Sequence, residues 1–285
     1  MTGNAKKLKR RNHEVPRGLL KNWLGSKGGQ QGYHFWDFAD CERKFEKGSW
    51  AGFAVTELLY VPFVSEIERS DALEDWFAVD ENGLALLGVA AQSGQVHSLK
   101  PKILTQAIRA AIALGFRNAY QFYCIGEVLD AQKPGQHLHG NIIDNAYKVF
   151  QAKFRQFSNW DFTIVYALPL NLLINESPFF DWTLRPDPQN LVTMPLAPNA
   201  ILFGTPPPQK SRKEMAIRWT RGEDKTKLAE LQNQFSVENA RQWIVSKTPV
   251  QIDDLAKELS RERLEHRRSL DRTVMIKVSG NEQDD

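Results

Sequence analysis

The chain has 285 residues, with 42% hydrophobic, 11% aromatic and 25% charged side chains, a composition that excludes collagen-like and fully disordered classes. No apolar run approaches the roughly 18 residues needed to cross a bilayer, and two cysteines, Cys41 and Cys124, cannot build a disulfide framework or a cysteine-rich zinc site. The net charge of +3 is unevenly placed, with +7 on residues 1–30 and −4 on the rest, so a basic arm precedes a slightly acidic body.

The charged opening has no apolar stretch behind it, so no secretory signal is expected, and the expected setting is a reducing cytoplasm with no membrane partner. Residues 1–12, with Lys6, Lys7, Lys9, Arg10 and Arg11, read as a disordered basic arm, either a solvated, frayed terminus or one that attracts phosphates by counterion release. From residue 13 the spacing of Leu19, Leu20 and Trp23 behind Pro16 predicts a first helix. Gly25, Gly28, Gly29 and Gly32 break it in a flexible turn. The cluster contains Lys27 but lacks the ending of a phosphate loop. Tyr33 to Phe38 is aromatic-rich and predicts a strand. A charged turn near Arg43 and Lys44 follows and ends at Gly48.

Residues 65–87 read as helical, with Asp71 near the N-cap. Residues 101–114 give the clearest helix, with Leu104, Ile108, Ala111 and Ile112 on one stripe and Gly115 as the stop. A further helix over 143–157 places Tyr147, Phe150, Phe154 and Phe157 on one face, which reads as core. The pattern then turns to strands at 161–168, 171–174, 191–195 and 200–203, and Pro206, Pro207 and Pro208 make a stiff connector. Helix is predicted again over 225–245, and the charged residues 253–272 read as a peripheral helix or tail. The expected fold class is α+β: a helical N-terminal and middle region packed on a mostly antiparallel sheet, with a closing helix. One domain is expected over 13–246, with a charged helix and disordered tail over 247–285.

His13, Val15, Pro16, Leu20 and Trp23 stand in the order His-x-Val-Pro-x-x-x-Leu-x-x-Trp. This resembles the opening His-Tyr-Val-Pro-x-x-Tyr-Leu-x-x-Phe of a mostly bacterial family of uncharacterised domains, with Trp23 in place of Phe. Tyr33 to Asp37 looks like that family's next strand. Ile174-Asn175-Glu176-Ser177-Pro178 is similar to its Thr-Ser-Asp-Asn-Pro segment, and Met194 to Pro198 to its Pro-Leu-Ser-Pro segment. Asn239 to Arg241 and Ile244 to Ser246 look like its closing helix. Glu176 stands where that family usually has Asp. The family's association with mobile elements and bacterial conflict implies an effector nuclease.

His13 is a candidate general acid or base beside a phosphate held by Arg17, or a structural cap. Glu176 follows an apolar strand, where it is a candidate base or Mg²⁺ ligand with Asp181 as a second ligand; Asn175 and Ser177 would position phosphate or water. The same three residues also suit an ordinary polar turn. Arg241 is a second candidate phosphate holder. His137, His139 and Asp144 suggest a metal group but are flanked by Pro134, Gly135 and Gly140, which predicts an exposed loop. Glu57, behind Phe53 and Val55 in a half-buried pattern, is a candidate site acid or, like Glu74 and Asp75, suits a solvated or capping role. Lys210, Arg212, Lys213, Arg218, Arg221, Lys225 and Lys227 surround Trp219, a mixture that suits nucleic acid or a solvated connector.

No Gly-x-Ser-x-Gly nucleophile elbow occurs. The leading expectation is a nucleic-acid-processing protein, a metal-assisted phosphodiesterase or nuclease-like defence effector that meets RNA or DNA through its basic arm. The alternative is a non-catalytic binding or regulatory module.

Overall fold

Large apolar residues at alternate positions build two five-stranded sheets, and helices with one apolar stripe cover them. The structure is a computed structural model and describes residues 11–57, 72–116, 139–184, 190–207, 217–220 and 225–249. The architecture is α+β, as expected.

β1 (Arg11–His13) pairs antiparallel with β5 (Val55–Glu57), placing His13 opposite Val55. Arg11 and Asn12 therefore belong to a strand rather than to a disordered arm, and residues 1–10 lie outside the described residues. Pro16 caps the single turn of α1 (Arg17–Leu20), which runs into a 3₁₀ turn at Lys21–Trp23. Leu19, Leu20 and Trp23 are fully buried, and the Trp23 indole N–H donates to the Leu172 carbonyl at 2.7 Å. The helical spacing read from these residues is one turn deep.

The glycine cluster is a tight hairpin. Gly28 and Gly29, at φ +57° and +78°, join β2 (Gly25–Lys27) to β3 (Gln30–Asp37). Two successive positive φ values define the turn whose twist matches paired strands. The charged segment expected as a turn is instead β4 (Glu42–Lys47), paired along β3 from Gly32 to Asp37. Its charges suit a strand that ends a sheet.

α2 (Ala72–Ser93), α3 (Pro101–Leu114) and α4 (His139–Phe157) follow. α3 has the predicted bounds and ends at Gly115; Ile108, Ala111 and Ile112 of its stripe are buried. α4 buries Phe150 and Phe157, so its aromatic stripe is core as read. His139 begins this helix rather than a loop, and His137 lies outside the described residues.

β6 (Asp161–Tyr166), β8 (Phe180–Asp181), β9 (Val192–Ala197), β10 (Ala200–Thr205) and β11 (Ile217–Thr220) form the sheet β11-β6-β10-β9-β8, antiparallel except for the β11–β6 pair. The other sheet runs β2-β3-β12-β7, with β4 on the far side of β3; it takes in β7 (Ile174–Asn175) and β12 (Trp243–Ser246). α5 (Lys225–Asn239) precedes β12.

The helix expected over 225–245 thus ends at Asn239, and Trp243 to Ser246 form a strand inside the second sheet. Aromatic and β-branched side chains at 243–245 fit a pleated surface on both faces. Trp243 and Val245 join Tyr33 and Phe35 in the main core, while Ile244 joins Trp36, Phe38, Leu173, Val237 and Ala240 on the other face. One core cluster reaches from Val15 to Val245 and takes in Leu84, Ile108, Phe157, Ile164 and Leu202. Among the described residues no helix is long and apolar enough to cross a membrane.

Candidate functional site

His13 ends β1 and lies half-buried at the mouth of a cleft between α1 and α2. The cleft has a volume of about 210 Å³ and is lined by His13, Pro16, Arg17, Gly18, Glu81, Asn82 and Ala85. It exists because α1 approaches α2 closely: a Cβ on Gly18 would stand 2.7 Å from the Ala85 methyl. The volume is below the roughly 300–1,000 Å³ of sites that enclose small molecules. The His13 Nε2 lies 3.0 Å from the Trp50 carbonyl. A carbonyl only accepts, so Nε2 carries the proton in the neutral ring and Nδ1 keeps its lone pair. Burial holds the His13 pKa below its usual 6.5, the Arg17 charge adds to that, and the Trp50 carbonyl, Glu81 and Glu46 oppose it. The imidazole is therefore neutral at pH 7.

Trp50 completes this surface. It is 47% exposed, its indole meets the His13 ring edge-on at 5.4 Å, and the Arg17 guanidinium lies over it at 5.4 Å. The loop that presents it is pinned. Ala51 adopts a left-handed φ of +57°, and the Glu46 carboxylate accepts from the Gly52 N–H at 2.7 Å and the Phe53 N–H at 3.2 Å.

Glu176 sits elsewhere, inside the protein at 4% exposure. Its Oε1 accepts the Arg241 backbone N–H at 2.6 Å and the Gln242 N–H at 3.4 Å, and Oε2 accepts the Trp243 N–H at 3.4 Å. The carboxyl thus fastens the turn that carries the chain from α5 into β12. Burial pushes its pKa up to about 8, the neighbouring Glu14 charge adds to the rise, and the backbone N–H groups act against it. Glu14 is itself buried at 1% exposure. Glu14 follows β1 directly and is buried, while His13, one residue before it, lines the cleft.

The other predicted residues divide between these places. Asn175 is fully buried; its Nδ2 donates to the Ser236 carbonyl at 2.9 Å and its Oδ1 accepts the Ser177 N–H at 3.0 Å. These are bonds of the polar turn that was one of the two readings. Arg17 stands at the cleft with His13, whereas Arg241 lies beside Glu176 and its Nη1 is buried. The structure therefore groups His13 with Arg17, and Glu176 with Asn175, Ser177 and Arg241.

Asp181 accepts Lys153 Nζ at 2.8 Å and the Thr183 N–H at 3.0 Å. With Glu176 and Asp181 each committed to protein donors, the pair expected to hold Mg²⁺ does not fit that ion. Among the described residues no group of three or more His, Cys, Asp or Glu side chains is placed to hold a metal. The Lys225 ammonium donates to the Tyr166 carbonyl at 2.8 Å and caps that strand end. Lys210, Arg212, Lys213 and Arg221 lie outside the described residues, as do the side chains of Arg218, Trp219, Glu57, Glu74, Asp75, His139 and Asp144.

Trp50 and Glu14 were not singled out from the sequence. A large aromatic in the Gly-Ser-Trp-Ala-Gly segment 48–52, where a turn needs small residues, is one signal. Glu14 is the single acid in the first 30 residues, which is another. No family model matches the chain, and no curated protein or solved structure matches it either. The His13 to Trp23 motif is accordingly read from its geometry alone.

Proposed function

We propose that this protein is a non-catalytic module that binds single-stranded nucleic acid, with Trp50, Arg17 and His13 as its contact surface. The observation that carries the reading is the half-exposed Trp50 indole held on a pinned loop under the Arg17 guanidinium. A fixed aromatic face beside a cation suits stacking of a base next to its phosphate, and every base offers such a face. Asn82, and Glu81 as an acceptor, line the adjoining cleft, where they would meet base edges. The basic residues Lys6, Lys7, Lys9 and Arg10 lead directly into β1 and would add phosphate contacts.

The binding reading is preferred to a metal-assisted phosphodiesterase because Glu176 is sealed in and bonded to backbone, away from the cleft. The neutral His13 keeps a lone pair on Nδ1 and shares its cleft with Glu81, but among the described residues no group of three acidic or imidazole side chains is placed there to hold a metal. Fluorescence anisotropy of labelled 12-nucleotide RNA and DNA strands and a duplex, at 50 to 300 mM salt, tests the reading. Single strands should bind with log-affinity falling linearly against log-salt, and Arg17→Ala should flatten the slope by about 0.7. The strands should stay intact with Mg²⁺ or chelator present. Absence of salt-sensitive binding at any strand would remove the function, and Mg²⁺-dependent cleavage would restore the enzymatic reading.

A further inference from the structure

The cleft beside Trp50 offers acceptors that ask for a particular base edge, and His13 is the main source of that bias. The His13 Nε2–H is committed to the Trp50 carbonyl at 3.0 Å, which leaves Nδ1 with a lone pair and no proton. Turning the ring over would break that bond. Among the described residues no group donates to Nδ1, and the atom is not sealed off, so solvent or a ligand can reach it. Asn82 is the second group. It is exposed on α2, lines the same cleft, and its amide has no bonded partner among the described residues.

The two groups make different demands. An amide sets one acceptor beside one donor, and every base has an edge that matches such a pair, so Asn82 can hold a base without choosing it. The choice falls to Nδ1, which needs a further donor. Adenine, cytosine and guanine supply one, because their exocyclic amino group carries a second N–H. Uracil and thymine have carbonyl oxygens in that place. Glu81 on the same wall is already engaged within the protein and is not required here; its carboxylate oxygens likewise oppose a carbonyl. Pro16 and Ala85 give the cleft apolar walls, and its volume of about 210 Å³ leaves little room for water beside a base edge. An acceptor that gives up its water and meets another acceptor stays unpaired, which is how a small polar site rejects a near-isostere.

We propose that the cleft takes a base bearing an exocyclic amino group and discriminates against uracil and thymine, with His13 Nδ1 as the selecting atom. This rests on the strand-binding reading above. The test measures anisotropy at pH 7.5 with 12-nucleotide strands of cytidine, uridine, adenosine and purine riboside, the last being adenosine without its amino group. Each pair shares one ring system, so stacking on Trp50 is closely matched. Cytidine should bind about fivefold or more tighter than uridine, and adenosine about fivefold or more tighter than purine riboside. His13→Phe keeps a flat ring against Trp50 but lacks Nδ1, and should bring both ratios within twofold. The comparison of strands on the parent protein needs no variant, so a His13→Phe chain that fails to fold leaves the test standing. Parent ratios within twofold, or tighter binding of uridine, overturn the proposal and leave strand binding in place. Ratios that persist in folded His13→Phe overturn the assignment to Nδ1. If none of the four strands binds, the strand-binding reading falls and the proposal falls with it.

Discussion

Glu176→Gln separates the structural role of this carboxyl from its charge. In the folded protein Glu176 titrates near 8, against 4.5 for the free side chain. The folded state therefore holds a proton that the unfolded chain releases between those values, so stability is present below the unfolded pKa and is lost as pH rises through the folded one. A group with these two pKa values removes about 2.5 kcal/mol of stability between pH 5.5 and 7.5, an upper figure because buried sites relax as they ionise. Gln cannot ionise but still offers an oxygen to the Arg241 N–H. Urea unfolding followed by tryptophan fluorescence should place Glu176→Gln within about 1 kcal/mol of the parent at pH 5.5. At pH 7.5 the parent should have lost roughly 1–2.5 kcal/mol more than the variant. Glu176→Ala, which leaves the buried Arg241 and Trp243 N–H groups without this acceptor, should cost about 3 kcal/mol or more at both pH values. Parallel pH curves for parent and Gln variant would refute the neutral buried carboxyl.

Three other expectations follow from packing and pairing. Gly88→Ala sets a methyl 2.5 Å from Asn22 Nδ2 and 2.9 Å from the Leu196 carbonyl, so it should destabilise by about 1–3 kcal/mol in the same unfolding assay. Lys153→Met strips the partner from Asp181, whose side chain is only 6% exposed; it should cost about 3–5 kcal/mol, and the Asp181→Leu double variant should recover at least half. Glu46→Ala releases the N–H groups of Gly52 and Phe53. It should weaken strand binding about fivefold with little loss of fold, since one hydrogen bond is worth roughly 1 kcal/mol.

Much of the fold could be read from local pattern. α3 shows both its stripe and its glycine stop in fourteen residues, and α4 shows its core face through aromatic spacing. β12 could not be read that way. Its Trp-Ile-Val follows a helix with no proline or glycine between, and its strand conformation is set by partners distant in sequence, namely β3, β7 and the Glu176 carboxyl. The glycine pair at 28 and 29 was legible as a turn, but its tight form depends on the register of the strands it joins.

The site was partly legible. His13 and Arg17, four residues apart, do line one cleft. Glu176, some 160 positions from His13, has no local pattern that places it; the structure seals it inside the protein, where the charge of the buried Glu14 adds to the rise in its pKa. Trp50 escaped notice because an exposed aromatic has no periodic signature; only the left-handed Ala51 and the Glu46 bonds show that it is held in place.

Replacing Trp50 tests the binding surface most directly. Trp50→Ala should lower the affinity for a single strand by about 5- to 150-fold, the equivalent of 1–3 kcal/mol for a lost base stack, while Trp50→Phe keeps most of it and the unfolding curve stays unchanged. An Ala variant that binds within twofold of the parent would contradict the account.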